Sequence, residues 1–367
     1  MRRPADIDVL VVGLGPAGAC AAAAAAKAGA RVLAIDRKAR AGFPVQCAEF
    51  IPAMMGERTA GSARSRRQMI RSMTTTVEWQ ETHRKDRFPG HMIDRAAFDA
   101  ELVDAAIHAG ANCRFGMSLR RIAADGAVVV AAGEDGKVEE VTVRPRVIIG
   151  ADGPRSPVGR AIGRRNRELV ETRQITVPLL RPFAATDIFL SAGMCGGYAW
   201  LFPKGEVANL GLGVVPEQRH DLKPLLDDLH QRLIGEGRVG REILHYTGGA
   251  IPVGGMLDVI GRLGAADVLL AGDAAGLTNP ITGAGINAAV MSGELAGEAA
   301  AAICHGDNGA GEDFAEEIAA LFGASIDRAL KRRRALMQTY VDGEPGPADL
   351  QRAWIAFPDY WDGERAA

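Results

Sequence analysis

Residues 8–36 read DVLVVGLGPAGACAAAAAAKAGARVLAID, and this stretch decides the fold. Asp8 to Val12 is a short, apolar, β-branched run of the kind that forms a strand buried on both faces. GLGPAG follows; then an alanine-rich segment from Ala19 to Ala28 favours helix and stops at Gly29, a natural C-terminal cap. Arg31 to Ile35 is a second apolar strand. The order strand, turn, helix, strand is a βαβ unit. Within it Gly13, Gly15 and Gly18 have the dinucleotide-binding spacing, and Asp36 closes the second strand. Each residue type has a physical cause. Gly13 permits the tight turn, Gly15 lets a pyrophosphate approach the backbone, and Gly18 lets helix and strand pack closely. Pro16 and Ala17 open the helix, whose free N–H groups face the phosphates. Asp36 can accept hydrogen bonds from a ribose, and the adjoining Arg37 is counted with it in the cofactor site.

Around this unit the composition is that of an ordinary globular protein. The 367 residues are 47% hydrophobic and 24% charged, and length alone suggests two domains. With 43 basic against 45 acidic residues, the net charge of -2 gives no global attraction to nucleic acid or an anionic membrane. The five cysteines are scattered, without a CxxC pair for zinc or an iron–sulfur cluster, so no metal is expected and a reducing cytoplasm fits best. Val9 to Ala26 carries no charge and superficially resembles a membrane span. Gly13, Gly15, Pro16 and Gly18 interrupt it, however, and much of it is weakly apolar alanine. The location expected is cytoplasmic, with membrane contact at most peripheral at the inner face.

Further along, TTTVEW (74–79) predicts one strand in an otherwise irregular stretch between Pro44 and Gly90. Asp94 is a suitable N-cap for a helix running through Ala109. RVIIGADG (146–153) is another buried strand ending in an acidic turn. From Leu169 to Val253 strand-like segments predominate, with one helix near 221–234. DVLLAGD (267–273) returns to buried-strand character, and helices follow near 283–303, 312–322 and 326–340. The expected fold is therefore α/β: a Rossmann-like dinucleotide-binding domain over 1–168 and 258–305, a mostly antiparallel β substrate domain over 169–257, and C-terminal helices over 306–367. The strand near 74–79 joins the substrate sheet.

A second chemical signal is AGDAAGLTNPITGAGIN (271–287). Asp273 at a strand end can bind a polyol hydroxyl, while Gly283, Gly285 and Ile286 open a helix whose N–H groups face an anion. GLGPAG with Asp36, then IDRAAFD with Arg95, then IIGADGPRS with Asp152 and Gly153, then AGDAAGLTNPITGAGIN with Asp273, resembles the flavoproteins of p-hydroxybenzoate hydroxylase fold. That resemblance spans Asp8 to about Gly297 and implies FAD, with Arg95 against it. Within this group PVQCAE (44–49), GGYAWLFPKGEVANLGLGV (196–214) and FPDYW (357–361) look most like the geranylgeranyl reductase family. The family pattern has glycine where Ala48 stands.

The family resemblance implies an activity: reduction of carbon–carbon double bonds of an isoprenoid or other apolar substrate, in lipid or quinone biosynthesis. It places Cys47 beside the flavin ring, with Tyr198, Trp200 and Phe202 lining the substrate cavity, and makes Cys47, Tyr198 and Trp200 the candidate catalytic residues. Read from residue type alone, Cys47 is either a core filler or a reactive thiol. The three aromatics share one face of a strand, which is either cavity wall or core. The run KRRR (331–334) reads as a solvated helix face. No second GxGxxG follows a strand, so the electron donor is NAD(P)H bound transiently or a protein such as reduced ferredoxin. Two rival functions stay open at this stage, a flavin monooxygenase on the same fold and an electron-transfer flavoprotein to quinone.

Overall fold

The computed structural model describes residues 7–53, 63–134 and 137–362. The opening βαβ unit is β1 (Val9–Val12), α1 (Pro16–Lys27) and β2 (Val32–Asp36). Next come β3 (Phe50–Pro52), β4 (Arg66–Val77), β5 (Glu81–Ile93) and α2 (Arg95–His108). Then follow β6 (Asn112–Phe115), the meander β7 (Met117–Ile122), β8 (Val128–Glu134) and β9 (Lys137–Val143), and β10 (Val147–Gly150) with the short α3 (Pro157–Ala161). Strands β11 (Leu169–Pro178), β12 (Ala185–Leu190), β13 (Ala199–Lys204) and β14 (Val207–Val214) lead to α4 (Leu222–Gly235) and β15 (His245–Pro252). The described chain ends with β16 (Ile260–Leu263), β17 (Ala266–Leu270), α5 (Ile286–Cys304), α6 (Ala310–Asp342) and α7 (Pro347–Arg352).

The first sheet has the order β16-β17-β10-β1-β2-β6, parallel throughout except for the β16–β17 pair. From β1 the chain moves to β2 and β6 on one side and later returns to β10 and β17 on the other. The order therefore switches between β1 and β10, where open α/β sheets bind ligands beyond the strand ends. Both faces of β1 are covered, which is why Val9–Val12 is apolar without alternation. One cover is α5 against α1. A Cβ at Gly293 would lie 2.2 Å from the Ala17 carbonyl oxygen, and one at Gly297 2.3 Å from that of Ala21, so two glycines a turn apart let the backbones touch.

The second sheet has the order β15-β11-β14-β13-β12-β4-β5-β3 and is antiparallel except where β12 meets β4. Its buried faces carry aliphatic packing against α4 and an aromatic cluster that includes Trp200, Phe202, Phe88 and Trp354.

Several elements differ from the sequence reading. The strand expected at 74–79 is the end of a longer hairpin: β4 and β5 pair over most of their length, while Glu78 and Trp79 turn with φ of 48° and 59°. β5 is charged and half-exposed, and β4 carries two register shifts, so the pair shows no clean two-residue alternation. The two helices expected at 312–322 and 326–340 are one continuous helix, α6. Gly323 costs about 1 kcal/mol within a helix. The row Phe314, Ile318, Phe322, Ile326 is buried along one face, and each such side chain contributes about 1.5–3 kcal/mol, so packing wins. The helix expected from Gly283 starts at Ile286, leaving Gly283 in the loop.

Candidate active site

The cradle for a dinucleotide lies at the end of β1. Gly13 has φ 99°, and a Cβ there would sit 2.2 Å from the Ala151 carbonyl oxygen of the β10 end. A Cβ at Gly18 would fall 1.8 Å from the Gly13 carbonyl oxygen. These two glycines are demanded by the chain itself. Gly15, the residue capping α1, is different: nothing lies within 4 Å of its added Cβ. The open space lies in front of the first turn of α1, headed by Pro16 and Ala17, where unpaired N–H groups favour phosphate. Asp36 already holds this turn, with Oδ2 accepting from Leu14 N at 2.9 Å and Oδ1 from Lys38 N at 2.8 Å. Its carboxylate thus shapes the cradle as well as facing it. Arg37 is exposed beside it.

Two more acidic strand ends border the cradle. Asp152, after β10, accepts from Val158 N through Oδ2 at 3.1 Å, while Oδ1 is buried without a partner. Gly153 turns the chain with φ 85°. Asp273, after β17, accepts from Thr278 Oγ1 at 2.8 Å. Burial pushes both carboxyls up, against the Ser156 and Val158 hydrogen bonds at Asp152 and the Thr278 bond and Arg95 charge at Asp273. Gly285 caps α5, and a Cβ there would crowd Thr278 Oγ1 at 3.0 Å and Asp273 Oδ1 at 3.3 Å. Beyond Ile286, the Asn287 Oδ1 is a second buried acceptor without a partner. Open space at a helix N-terminus, with unpartnered acceptors around it, fits a dinucleotide whose hydroxyls and ring N–H groups would complete those bonds.

Cys47 lies on a loop stitched to the second sheet. Gln46 Nε2 donates to the Gly248 carbonyl at 3.0 Å, Gln174 Nε2 to the Cys47 carbonyl at 3.1 Å, Asn209 Nδ2 to that of Ala48 at 3.2 Å, and the Thr247 hydroxyl to that of Val45. Glu49 N donates to Cys47 Sγ at 3.1 Å. Burial pushes the Cys47 thiol up, against the pull of the Arg95 charge, so it remains protonated at neutral pH. Arg95 opens α2, whose N-cap is Asp94, with Oδ1 accepting from Ala97 N at 3.0 Å. Burial opposes the Arg95 charge, but a fork of hydrogen bonds to Asp99, at 2.7 and 3.2 Å, helps raise its pKa. Arg95 acts electrostatically on both Cys47 and Asp273, so three sequence-distant candidates share one neighbourhood.

Sequence reading passed over Glu49, the hub of this loop. It is 4% exposed, has φ 68°, and its carboxylate accepts from Arg95 N at 2.9 Å, from Asn209 Nδ2 at 2.8 Å and from Lys204 Nζ. All of these residues except Arg95 lie inside the two stretches quoted above for Cys47 and the aromatics. Their pairing across 155 to 160 positions had no local signal.

Next to the cradle a cavity, partly open to solvent, runs between the second sheet and the Pro280–Gly283 loop. Tyr198 and Trp200 line it, together with Val170, Ile251, Gly283 and Arg333. Tyr198 Oη donates to the Thr282 carbonyl at 2.5 Å, which ties the cavity wall to the loop before α5. Burial pushes its phenol up, so the hydroxyl stays a donor. Trp200 Nε1 donates to Gln174 Oε1 at 3.0 Å, and the same Gln174 holds the Cys47 backbone. Phe202 departs from expectation: it is not among the cavity-lining residues. It packs in the aromatic cluster, with ring centroids 5.8 Å from Phe50 and 6.3 Å from Trp200. Arg333 is a further correction, since the run read as a solvated face has this member buried.

A Rossmann-like cradle that opens beside an apolar, aromatic-walled cavity on a second sheet defines a class, the FAD-dependent oxidoreductases. Comparison with known proteins agrees and narrows it. The FAD binding domain family model matches residues 6–178, and that of the geranylgeranyl reductase catalytic domain matches residues 183–251. The chain is 35% identical over 331 residues to digeranylgeranylglycerophospholipid reductase 2 of Methanopyrus kandleri, covering 83% of this chain and 79% of the relative. It is 36% identical over 313 residues to reductase 1 of the same organism, covering 80% of each. A solved structure of a geranylgeranyl bacteriochlorophyll reductase-like protein from Thermoplasma acidophilum is 27% identical with a TM-score of 0.77, covering 92% of this chain and 90% of that one. The chain belongs to the geranylgeranyl reductase family, and it is an FAD-dependent oxidoreductase that reduces carbon–carbon double bonds of an isoprenoid or other apolar substrate.

Proposed function

We propose that the substrate is a glycerophospholipid bearing geranylgeranyl chains, as in the names of the Methanopyrus relatives, and that the chain's own residues divide the work as follows. Gly13, Gly15, Pro16, Ala17, Gly18, Asp36 and Arg37 hold the adenosine and pyrophosphate half of FAD. Arg95, Asp152, Gly153, Asp273, Gly283 in the loop before α5, and the α5 start at Gly285 and Ile286 hold the flavin half. Bound FAD supplies the reducing equivalents for the alkene. Tyr198 and Trp200 keep the isoprenoid chain in place and exclude water, and Cys47 presents a protonated Sγ beside the reacting bond. Electrons reach the enzyme from NAD(P)H or reduced ferredoxin. Contact with the lipid surface is peripheral; among the described residues no helix is long and apolar enough to cross a membrane.

The observation that carries this reading is the apolar cavity beside the cradle, whose wall Tyr198 is bonded to the loop that opens α5. The test is anaerobic single turnover of pre-reduced enzyme with digeranylgeranyl glycerophospholipid, following flavin reoxidation and product mass. Reoxidation with a gain of two hydrogens per double bond is expected. Reoxidation only by oxygen, with an oxygenated product, would overturn the proposal in favour of monooxygenation.

A further inference from the structure

The cavity described above is lined mainly by apolar and aromatic side chains, with the Thr172 hydroxyl held by the Gly249 backbone, and it carries one charged group. Arg333, on α6, lines it and is only 6% exposed. Its Nη1 donates to the Gly196 carbonyl at 2.6 Å, and its Nε is buried with no partner. Among the described residues no carboxylate stands within ion-pair distance of it. Glu168 acts on it only from farther away, and the nearby Cys195 thiol, pushed up by burial, stays neutral. Two turns along α6, on the same face, the Tyr340 hydroxyl is also buried without a partner. The backbone accommodates the guanidinium closely: Gly196 has φ 66°, and a Cβ there would lie 3.0 Å from Arg333 Nη2.

An unpaired buried cation is costly, by several kcal/mol even after relaxation. Arginine cannot escape the cost by losing its proton. Such a group persists where something else supplies the negative charge. Apolar walls around one guanidinium suit a molecule with an apolar body and an anionic group whose several acceptor oxygens the planar guanidinium matches in geometry.

We propose that Arg333 is the anion-recognising residue of the substrate cavity, binding the phosphate group of a phosphorylated isoprenoid while the hydrocarbon lies along Tyr198 and Trp200. This rests on the reductase reading and adds to it the residue that recognises the phosphate of the substrate. The test compares geranylgeranyl diphosphate with the neutral alcohol geranylgeraniol on FAD-loaded wild type, Arg333→Met and Arg333→Lys. Two readouts are taken: KM and kcat in anaerobic alkene reduction, and binding followed by quenching of tryptophan fluorescence, which needs no turnover.

Loss of a charge-assisted bond pair predicts a KM and Kd for the diphosphate raised on the order of 10- to 100-fold in Arg333→Met. Lysine should recover part of the loss, and the rise for the alcohol should be smaller than that for the diphosphate by about tenfold or more. Equal changes for both ligands, or none for the diphosphate, would overturn the proposal. Retained flavin content in Arg333→Lys shows that the fold survives. A wild type that binds the diphosphate through Arg333 yet reduces neither compound would leave the inference standing and count against the reductase reading instead.

Discussion

Two substitutions in one turn separate what the fold demands from what the cofactor demands. Gly18→Ala should be stabilising by helix propensity, by about 1 kcal/mol. The added Cβ, however, lies 1.8 Å from the Gly13 carbonyl oxygen, so the turn must open by more than an ångström. Overpacking of that kind costs about 1–3 kcal/mol or more, so the net effect is destabilising even without FAD. Gly15→Ala meets nothing within 4 Å, and the φ of -77° suits any residue. Its gain in unfolded-state rigidity and its loss as a helix cap, each below about 1 kcal/mol, nearly cancel. Its methyl group stands where a pyrophosphate would approach the α1 N-terminus. Losing one charged hydrogen bond there costs about 1.5–3 kcal/mol, on the order of 10- to 150-fold in Kd. The assay is urea unfolding of flavin-free protein, followed by FAD titration monitored by flavin fluorescence. An FAD affinity of Gly15→Ala within about threefold of wild type would refute the placement of the pyrophosphate.

Cys47→Ala should slow or redirect double-bond reduction while leaving FAD content intact. Cys47→Ser, whose oxygen can still accept from Glu49 N, should be milder unless the thiol itself is required, and wild-type turnover by both would make Cys47 a filler. Asp273→Ala should lower flavin occupancy or shift the flavin reduction potential with the fold preserved; an unchanged content and potential would remove it from the site. Burial raises the Cys20 thiol from 9.0 to about 12 and that of Cys113 to about 11. Above pH 9 the unfolded chain releases these protons while the folded one keeps them, so stability should fall as pH rises from 9 towards 12. Cys20→Ala should flatten that limb in equilibrium unfolding, and a slope unaffected by the substitution would contradict the assignment.

What could be read from sequence was what local chemistry dictates. Strand β1, the Gly13–Gly18 turn and Asp36 fall within one βαβ unit, and the N-cap Asp94 signals α2 by itself. The β4–β5 hairpin escaped because register shifts and a half-exposed, charged strand erase the alternation that marks a sheet. The break expected between 322 and 326 is absent because the buried row of Phe314, Ile318, Phe322 and Ile326 outweighs the cost of Gly323 within α6. Within the site, Cys47, Tyr198 and Trp200 came from a motif. Glu49 and Arg333 did not, because a buried carboxylate and a buried guanidinium have no signature until the partners around them are assembled in space. In the run 331–334 the neighbours of Arg333 conceal it: Lys331 and Arg334 are exposed, and only the helix phase decides which of the four faces inward.

The continuity of α6 has a consequence for phase. Its 33 residues span about 50 Å, and one face serves two clients in succession: Phe314 to Ile326 are fixed in the core beneath the parallel sheet, and Arg333 reaches the cavity of the other sheet. Angular position is therefore transmitted along a single rod. A single residue added near Gly323 would leave the first half seated and rotate the rest by about 100°, carrying Arg333 off the cavity wall without touching any residue of the site. The chemical character of the cavity is thus set partly by a count of residues along a helix, and variants of this chain that change that count would change what the cavity accepts.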